Sequence, residues 1–312
     1  MARKLSWQDL PGLHRFQDQK LVLDTTLQLV YNPGLYSCSL LPLLFPRSEF
    51  YPAVDPLEEG DYPYLFGLIT QARRSLTDRI AFLAPGFPDQ RPGYSRLLSH
   101  PAGAAAERGA VQILAEVEPD SPGEAILTQC GFRPYAEQQI WKLPGRLAYG
   151  SGQRSWIPAS RRDNERVSKL YQRMLPAKIQ HVEAPPAFPD DQGMVSWTDG
   201  RLVGLALTQF GPRGILLDLL LDRSQHSADE YLSALMFHLP YRSTRDVFVR
   251  VRSYQQELAS GLERIGAVPG DRQLALVKKL AVHYNAKQTF AVQGFEKQPD
   301  VTTPISQTKT KN

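Results

Sequence analysis

The chain has 312 residues, with 42% hydrophobic and 22% charged side chains. These are globular proportions that exclude a fibrous or wholly disordered chain and suggest about two domains. Thirty-six Lys and Arg against 32 Asp and Glu leave a formal charge of +4, scattered rather than gathered in a basic stripe, so no nucleic-acid partner is expected. No run approaches the roughly 20 apolar residues of a membrane span, and no membrane partner is expected. Residues 1–9 carry early positive charge with no apolar core behind it, which argues against a secretory leader and for a cytoplasmic protein. Two cysteines, Cys38 and Cys130, cannot build a disulfide framework or a four-thiolate zinc site. The six histidines show no His-x-x-x-His spacing, so no metal is expected.

In chain order, short apolar runs alternate with amphipathic helical segments, the pattern of an α/β or α+β protein. Residues 21–30, 64–69 and 79–84 read as strands, the last stopped by Pro85-Gly86. A helix is expected over 97–107, crossed by Pro101, and a strand over 111–117. Residues 121–131 form a well-marked helix: Ser121 and Glu124 make a capping box, Pro122 fits the first helical position, and Gly131 supplies a left-handed stop. A strand over 138–143 follows. Residues 144–155 are rich in Gly, Ser and Arg and read as an interdomain linker.

Val167, Leu170, Tyr171, Met174 and Leu175 then lie on one helical stripe. Residues 193–208 read as a hairpin turning at Asp199-Gly200, and 214–221 as a buried strand. Ser227 and Glu230 open a helix to about residue 238 through a second capping box. A strand over 246–251, a helix over 256–265 stopped by Gly266 and a strand over 273–282 complete the pattern. The tail beyond is polar and expected to be disordered.

The two halves match each other. Leu127, Gly131, Pro134 and Gln138 return as Leu262, Gly266, Pro269 and Gln273, each 273 − 138 = 135 residues later. Ile80-Ala-Phe-Leu aligns with Ile215-Leu-Leu-Asp at that offset, and Leu65-Phe-Gly-Leu resembles Leu202-Val-Gly-Leu with a slip of two or three. Element type, order and spacing agree, so the unit of duplication is a domain. The expected organisation is an N-terminal domain over 1–144, a C-terminal domain over 156–297 and a disordered tail over 298–312.

Four places carry a family resemblance. They are Asp199-Gly-Arg-Leu-Val-Gly204, the strand Ile80–Ala84, the loop Gln90-Arg-Pro-Gly-Tyr-Ser95, and Glu124-Ala-Ile-Leu-Thr-Gln-Cys-Gly-Phe132. In this order they resemble the GNAT superfamily of acetyl-CoA-dependent N-acetyltransferases, here in tandem. The resemblance implies a mixed, mostly antiparallel sheet flanked by helices in each half, and acetyl-CoA as co-substrate. It also implies a small-molecule or peptide amine as acceptor, in a monomer or homodimer. It places the coenzyme pyrophosphate at the loop Gln90, Arg91, Gly93, Tyr94, Ser95 and Arg96, where glycine permits close approach and a helix start offers N–H donors. Ser95 stands where the family has Gly or Ala, and a plain surface turn is the other reading of this loop. Backbone atoms of Phe82, Leu83 and Ala84 would contact the thioester, along a V-shaped gap opening after Arg79 and Val111. The matching loop of the second half, residues 222–230, has no glycine and is acidic, which implies a copy without coenzyme.

The family often uses a tyrosine four residues before the Gly of Gly-Phe; Leu127 and Leu262 stand there instead. Tyr94 and Tyr135 are the nearest substitutes, or else packed aromatics. Glu116 and Glu118 share one face of their strand, where the family's base commonly sits; Glu116 is the candidate base, and a solvated strand face is the other reading. The expected activity is acetyl transfer to an amine by direct attack. The alternative is a catalytically idle protein of this fold that binds acyl-CoA or a protein partner.

Overall fold

The computed structural model describes residues 1–45, 49–57, 62–71, 75–86, 93–145, 155–188, 192–222, 228–240 and 244–280, all within one compact unit over Met1–Val282. The strands are β1 (Arg3–Lys4), β2 (Leu21–Val22), β3 (Phe50–Pro56), β4 (Tyr64–Gln71), β5 (Thr77–Ala84), β6 (Gln112–Val117) and β7 (Arg133–Lys142). They continue as β8 (Trp156–Pro158), β9 (Gly193–Thr198), β10 (Arg201–Phe210), β11 (Gly214–Leu221), β12 (Asp246–Arg252) and β13 (Val268–Lys279). The helices are α1 (Leu10–Leu13), α2 (Leu35–Leu44), α3 (Gly93–Glu107), α4 (Pro122–Gln129), α5 (Asn164–Met174), α6 (Ala177–Gln180), α7 (Ala228–His238) and α8 (Gln256–Arg264).

The strands form one sheet in the order β1-β3-β4-β5-β6-β13-β7-β12-β11-β10-β9-β8, with β2 beside β5. The pairs β5–β6 and β11–β12 are parallel; the others are antiparallel. Each half therefore holds a run of antiparallel strands ending in one parallel pair, the repeat expected from the sequence. The last strand of each half crosses over: β13 lies between β6 and β7, and β7 lies between β13 and β12. Gln138 and Gln273, the two residues related by the 135-residue offset, sit opposite each other in the β7–β13 pair. Gln138 Nε2 donates to Gln273 Oε1 at 3.0 Å. Equivalent residues that face each other across an antiparallel pair mark a local two-fold axis, so the duplication is built around that point.

Local signals set most element ends. Ser121 Oγ accepts from the Glu124 amide (3.3 Å), while the Glu124 carboxylate accepts from the Asp120 amide (2.8 Å). The second leg of that capping box thus reaches one residue further back than expected. Gly131 and Gly266 close α4 and α8 at φ +87° and +76°, and Asp199-Gly200 turn the β9–β10 hairpin at φ +49° and +72°. The apolar stripe of α5 packs Val167, Leu170 and Met174 with Leu205 and Leu220. On the N-terminal half, α3 and α4 pack Leu97, Leu98 and Leu127 onto the sheet; on the C-terminal half, α7 and α8 pack Tyr231, Leu235 and Leu262.

Two expectations are corrected. Residues 21–30 are not one strand: β2 stops at Val22, and residues 27–31 form a π-helical turn. Asp24 Oδ1 accepts from the Leu27 amide (3.1 Å) and caps that turn. The β5–β11 alignment shifts by three, because Gly67 faces Leu83 and Gly204 faces Leu221; an apolar strand has too little texture to fix its own register. The Ser227 cap, most of the linker and the tail lie outside the described residues.

Candidate functional site

The β5–β6 pairing ends at Arg79–Leu114 and the strands part beyond it, the V-shaped gap implied by the resemblance. The chain's own N-terminal segment fills that gap. Leu21 and Val22 pair with Leu83 and Phe82, and the Gly86 amide donates to the Gln19 carbonyl. Leu23 bridges the two splayed strands. Its amide donates to the Ala81 carbonyl (2.9 Å), and its carbonyl accepts from the Glu116 amide (2.8 Å). Leu23 is buried, and α4 seals the segment, since a Cβ on Gly123 would lie 2.8 Å from Leu21.

Beyond this plug, a network of charges crosses the sheet. Glu116 is buried; its Oε2 accepts from the Thr25 amide (3.0 Å), and its Oε1 lies 3.3 Å from Arg79 Nη1 and 3.4 Å from Arg250 Nη2. Burial alone would push this carboxyl up, but Arg250 and Arg79 outweigh it and hold Glu116 well below the usual carboxylate range. Asp24 is pushed up, by burial first and by Glu116 beside it. Arg250 donates from Nη2 to Thr26 Oγ1 (3.0 Å) and meets both Asp218 oxygens through Nη1 at 3.3 Å. Arg252 donates to Gln138 and to Glu183, and Glu183 also accepts from the Tyr135 hydroxyl (2.8 Å).

In the C-terminal half the β11–β12 pairing ends at Asp218–Arg250. Beyond it a cavity of about 350 Å³ opens in the wedge, lined by Leu220, Leu221, Ala228, Tyr254, Gln255 and Leu258 among others. The link between the two strands here is a side chain. Gln255 accepts from the Arg252 amide (2.8 Å) and donates to the Leu219 carbonyl (2.6 Å). An amide group thus bridges each wedge: main chain at Leu23 in one, a rotatable side chain at Gln255 in the other. A second cleft of about 650 Å³ lies between the halves, with Thr77 and Arg79 on one side and Asp218, Arg250 and Arg252 on the other. Wedge and cleft share Leu220, Tyr254 and Gln255. Burial is the main cause of the raised pKa of Tyr254, and it also raises that of Tyr171 in the cleft.

No protein-family model matches the sequence, and no curated protein matches it. Solved structures do. A GCN5-related N-acetyltransferase from Sphaerobacter thermophilus superimposes with a TM-score of 0.51 at 13% identity, over 89% of this chain and 95% of that one. This chain carries the GNAT fold. A tandem GNAT protein from the clavulanic acid biosynthesis pathway matches at 14% identity over 89% of this chain and 98% of that one, with a TM-score of 0.49. Identities this low speak to fold alone, and function rests on the site.

Within this GNAT fold the residues singled out from sequence do not converge on one open site. Phe82, Leu83 and Ala84 are buried, and β2 covers the strand edge they would have offered. Gln90 and Arg91 lie outside the described residues. Gly93 opens α3, where a Cβ would stand 2.6 Å from Leu65; close helix packing accounts for this glycine. Tyr94 is buried and donates to the Pro85 carbonyl, Ser95 is exposed, and Arg96 pairs with Asp55 (2.6 Å). Glu116 is not on a solvated face: it is an interior counter-ion, held ionised between two guanidiniums and therefore a weak base. Tyr135 is buried in the sheet, with its pKa raised by burial and then by Glu183. Burial pushes the Cys38 thiol up to about 12 and raises Cys130 as well, so both cysteines are packed thiols. Among the described residues no group of His, Cys, Asp and Glu is placed to hold a metal.

The sequence reading missed Asp218, Tyr254 and Gln255. Asp218 interrupts the run Gly214–Leu221, and a lone carboxylate in an otherwise apolar strand is the one signal that marked it.

Proposed function

We propose that this protein is an acyl-CoA-dependent N-acyltransferase whose donor wedge is the C-terminal one and whose acceptor, a small-molecule or peptide amine, enters the cleft between the halves. One observation carries the reading: wedge and cleft meet at Leu220, Tyr254 and Gln255, where β11 and β12 part. The N-terminal wedge does not fit the donor, because main chain occupies it. The C-terminal wedge fits the pantetheine arm, because Gln255 there already satisfies one face of the β11 edge with an amide that can rotate away. The first turn of α7 carries Asp229 and Glu230, which suit the helix dipole but oppose a phosphate; Arg264 lies 2.8 Å from Asp229 and offsets part of that charge.

Acyl-CoA, when bound, supplies an activated carbonyl with a thiolate leaving group. The chain's own residues do the rest. Asp218, at the last β11 position paired with β12 and on the cleft wall, receives the proton of the incoming ammonium. Arg250 keeps that carboxylate oriented. Tyr254, protonated at neutral pH and facing both cavities, can donate to the departing sulfur and recover a proton from the attacking nitrogen as the amide forms. The second reading, binding without turnover, is favoured by Leu127 and Leu262, which replace the usual tyrosine in both halves and are fully buried.

Calorimetry with acetyl-CoA and thiol release over an amine panel test the proposal. Ligand at 100 times Kd should add about 2.7 kcal/mol of stability. Leu220→Trp should abolish donor binding, and Asp218→Asn should keep binding while lowering turnover about 10²- to 10⁴-fold. Absence of binding overturns the reading; binding with no thiol release over the panel supports the idle form.

A further inference from the structure

The segment that closes the N-terminal wedge is wired to the opposite half. The Thr25 amide donates to Glu116, and Thr25 Oγ1 donates to Gln273 Oε1 (3.1 Å) on β13. Thr26 Oγ1 accepts from Arg250 Nη2, and Arg250 reaches Asp218 at the mouth of the C-terminal wedge. Arg250 is 3% exposed, and its Nε has no hydrogen-bond partner among the described residues. The guanidinium is therefore held through its two terminal nitrogens alone. Thr26 and Glu116 fix one of them, and the other is what Asp218 meets.

We infer that the N-terminal half has converted its donor wedge into a positioning element for the C-terminal site: residues 21–26 exclude a second donor, and Thr26 orients Asp218 through Arg250. The inference rests on the proposed role of Asp218. Thr26 touches no substrate; it is a positioning residue. Two consequences follow from the geometry. The chain binds one equivalent of CoA, not one per half. Loss of the Thr26 hydroxyl weakens turnover and leaves donor binding alone, because Thr26 does not line the C-terminal wedge.

The test compares Thr26→Val, which keeps the shape but removes the acceptor, with Thr26→Ser, which keeps the acceptor. Calorimetry with CoA should give a stoichiometry near one for all three proteins, with affinities within about twofold of each other. Turnover should fall about tenfold in Thr26→Val with the donor KM unchanged, a loss of about 1.4 kcal/mol, and stay within about twofold in Thr26→Ser. A crystal structure of Thr26→Val should show the Arg250–Asp218 separation widened beyond the ~4 Å of an ion pair. Two equivalents of CoA, wild-type turnover in Thr26→Val, an unmoved Arg250, or equal losses in both variants would each overturn the inference. Where wild type binds CoA and turns over but the variants match it, this inference alone fails. Where wild type binds no CoA, the reading of the function fails with it.

Discussion

Glu116 shows how little of a residue's role is set by its own strand. Alternation along β6 fixes which face it occupies, but its partners Arg79, Thr25 and Arg250 come from three other segments. Burying a carboxylate is costly, and removing one member of a buried ion cluster leaves the others uncompensated. Glu116→Gln should therefore destabilise the protein by about 3–5 kcal/mol at neutral pH, read as a fall in the urea midpoint. The pH dependence has a definite sign. Glu116 has a folded pKa below its unfolded value, so its contribution is complete above the unfolded carboxylate range near pH ~4.3 and is lost as pH falls towards the folded value. Asp24 works the other way: its folded pKa is raised, so its contribution is present in acid and lost as pH rises through that value. The gap between wild type and Glu116→Gln should narrow below about pH 4; a constant gap down to pH 3 would contradict the cluster as described.

At the level of elements, features governed by a few adjacent residues were legible: the Ser121 cap, the glycine stops at 131 and 266, and the Asp199-Gly200 turn. Residues 21–31 were not. Leu21-Val-Leu-Asp-Thr-Thr-Leu-Gln-Leu-Val alternates well enough for a strand, yet the chain bends at Asp24 because its carboxylate caps the turn that follows. The loss of strand pairing is offset by burial of Leu23, Leu27 and Val30, a long-range gain that no local window contains. This turn is seated on the C-terminal half, where the Arg213 amide donates to the Val30 carbonyl (3.1 Å). A Cβ on Gly211 would stand 2.4 Å from that carbonyl oxygen. Gly211→Ala should therefore destabilise the protein by about 1–3 kcal/mol, as overpacking does. The same substitution at Gly103, inside α3 with nothing within 4 Å, should stabilise by about 0.5–1 kcal/mol. Opposite shifts in thermal midpoint would bear out the seating of the turn; a neutral Gly211→Ala would refute it.

For the whole molecule, the duplication was readable because a fixed offset survives in glycines, prolines and glutamines that local geometry demands. The exchange of last strands was not, since β7 and β13 have the same pattern and either could pair with its own half. The open wedge was misplaced for a related reason. The glycine-bearing loop pointed to the N-terminal half, while the segment that closes that wedge lies about 70 residues earlier, at 21–24. The exchange has a thermodynamic consequence. β6 is paired with β13 and β12 with β7, so neither half keeps a complete sheet if the other unfolds. A subglobal opening of the C-terminal half would strip β13 from β6 and expose Leu276, which is fully buried in the N-terminal core. The halves should therefore unfold in one transition, despite a length at which separate domains are common. Native-state hydrogen exchange checks this directly: amides of β6 and β12 should open with the same free energy and the same denaturant dependence. If β12 opened well below β6, the halves would be separable units and the strand exchange would contribute little to their coupling. Equal values would mean that two copies of one fold have become a single folding unit, with the open wedge and the plugged one held in fixed relation by the strands they trade.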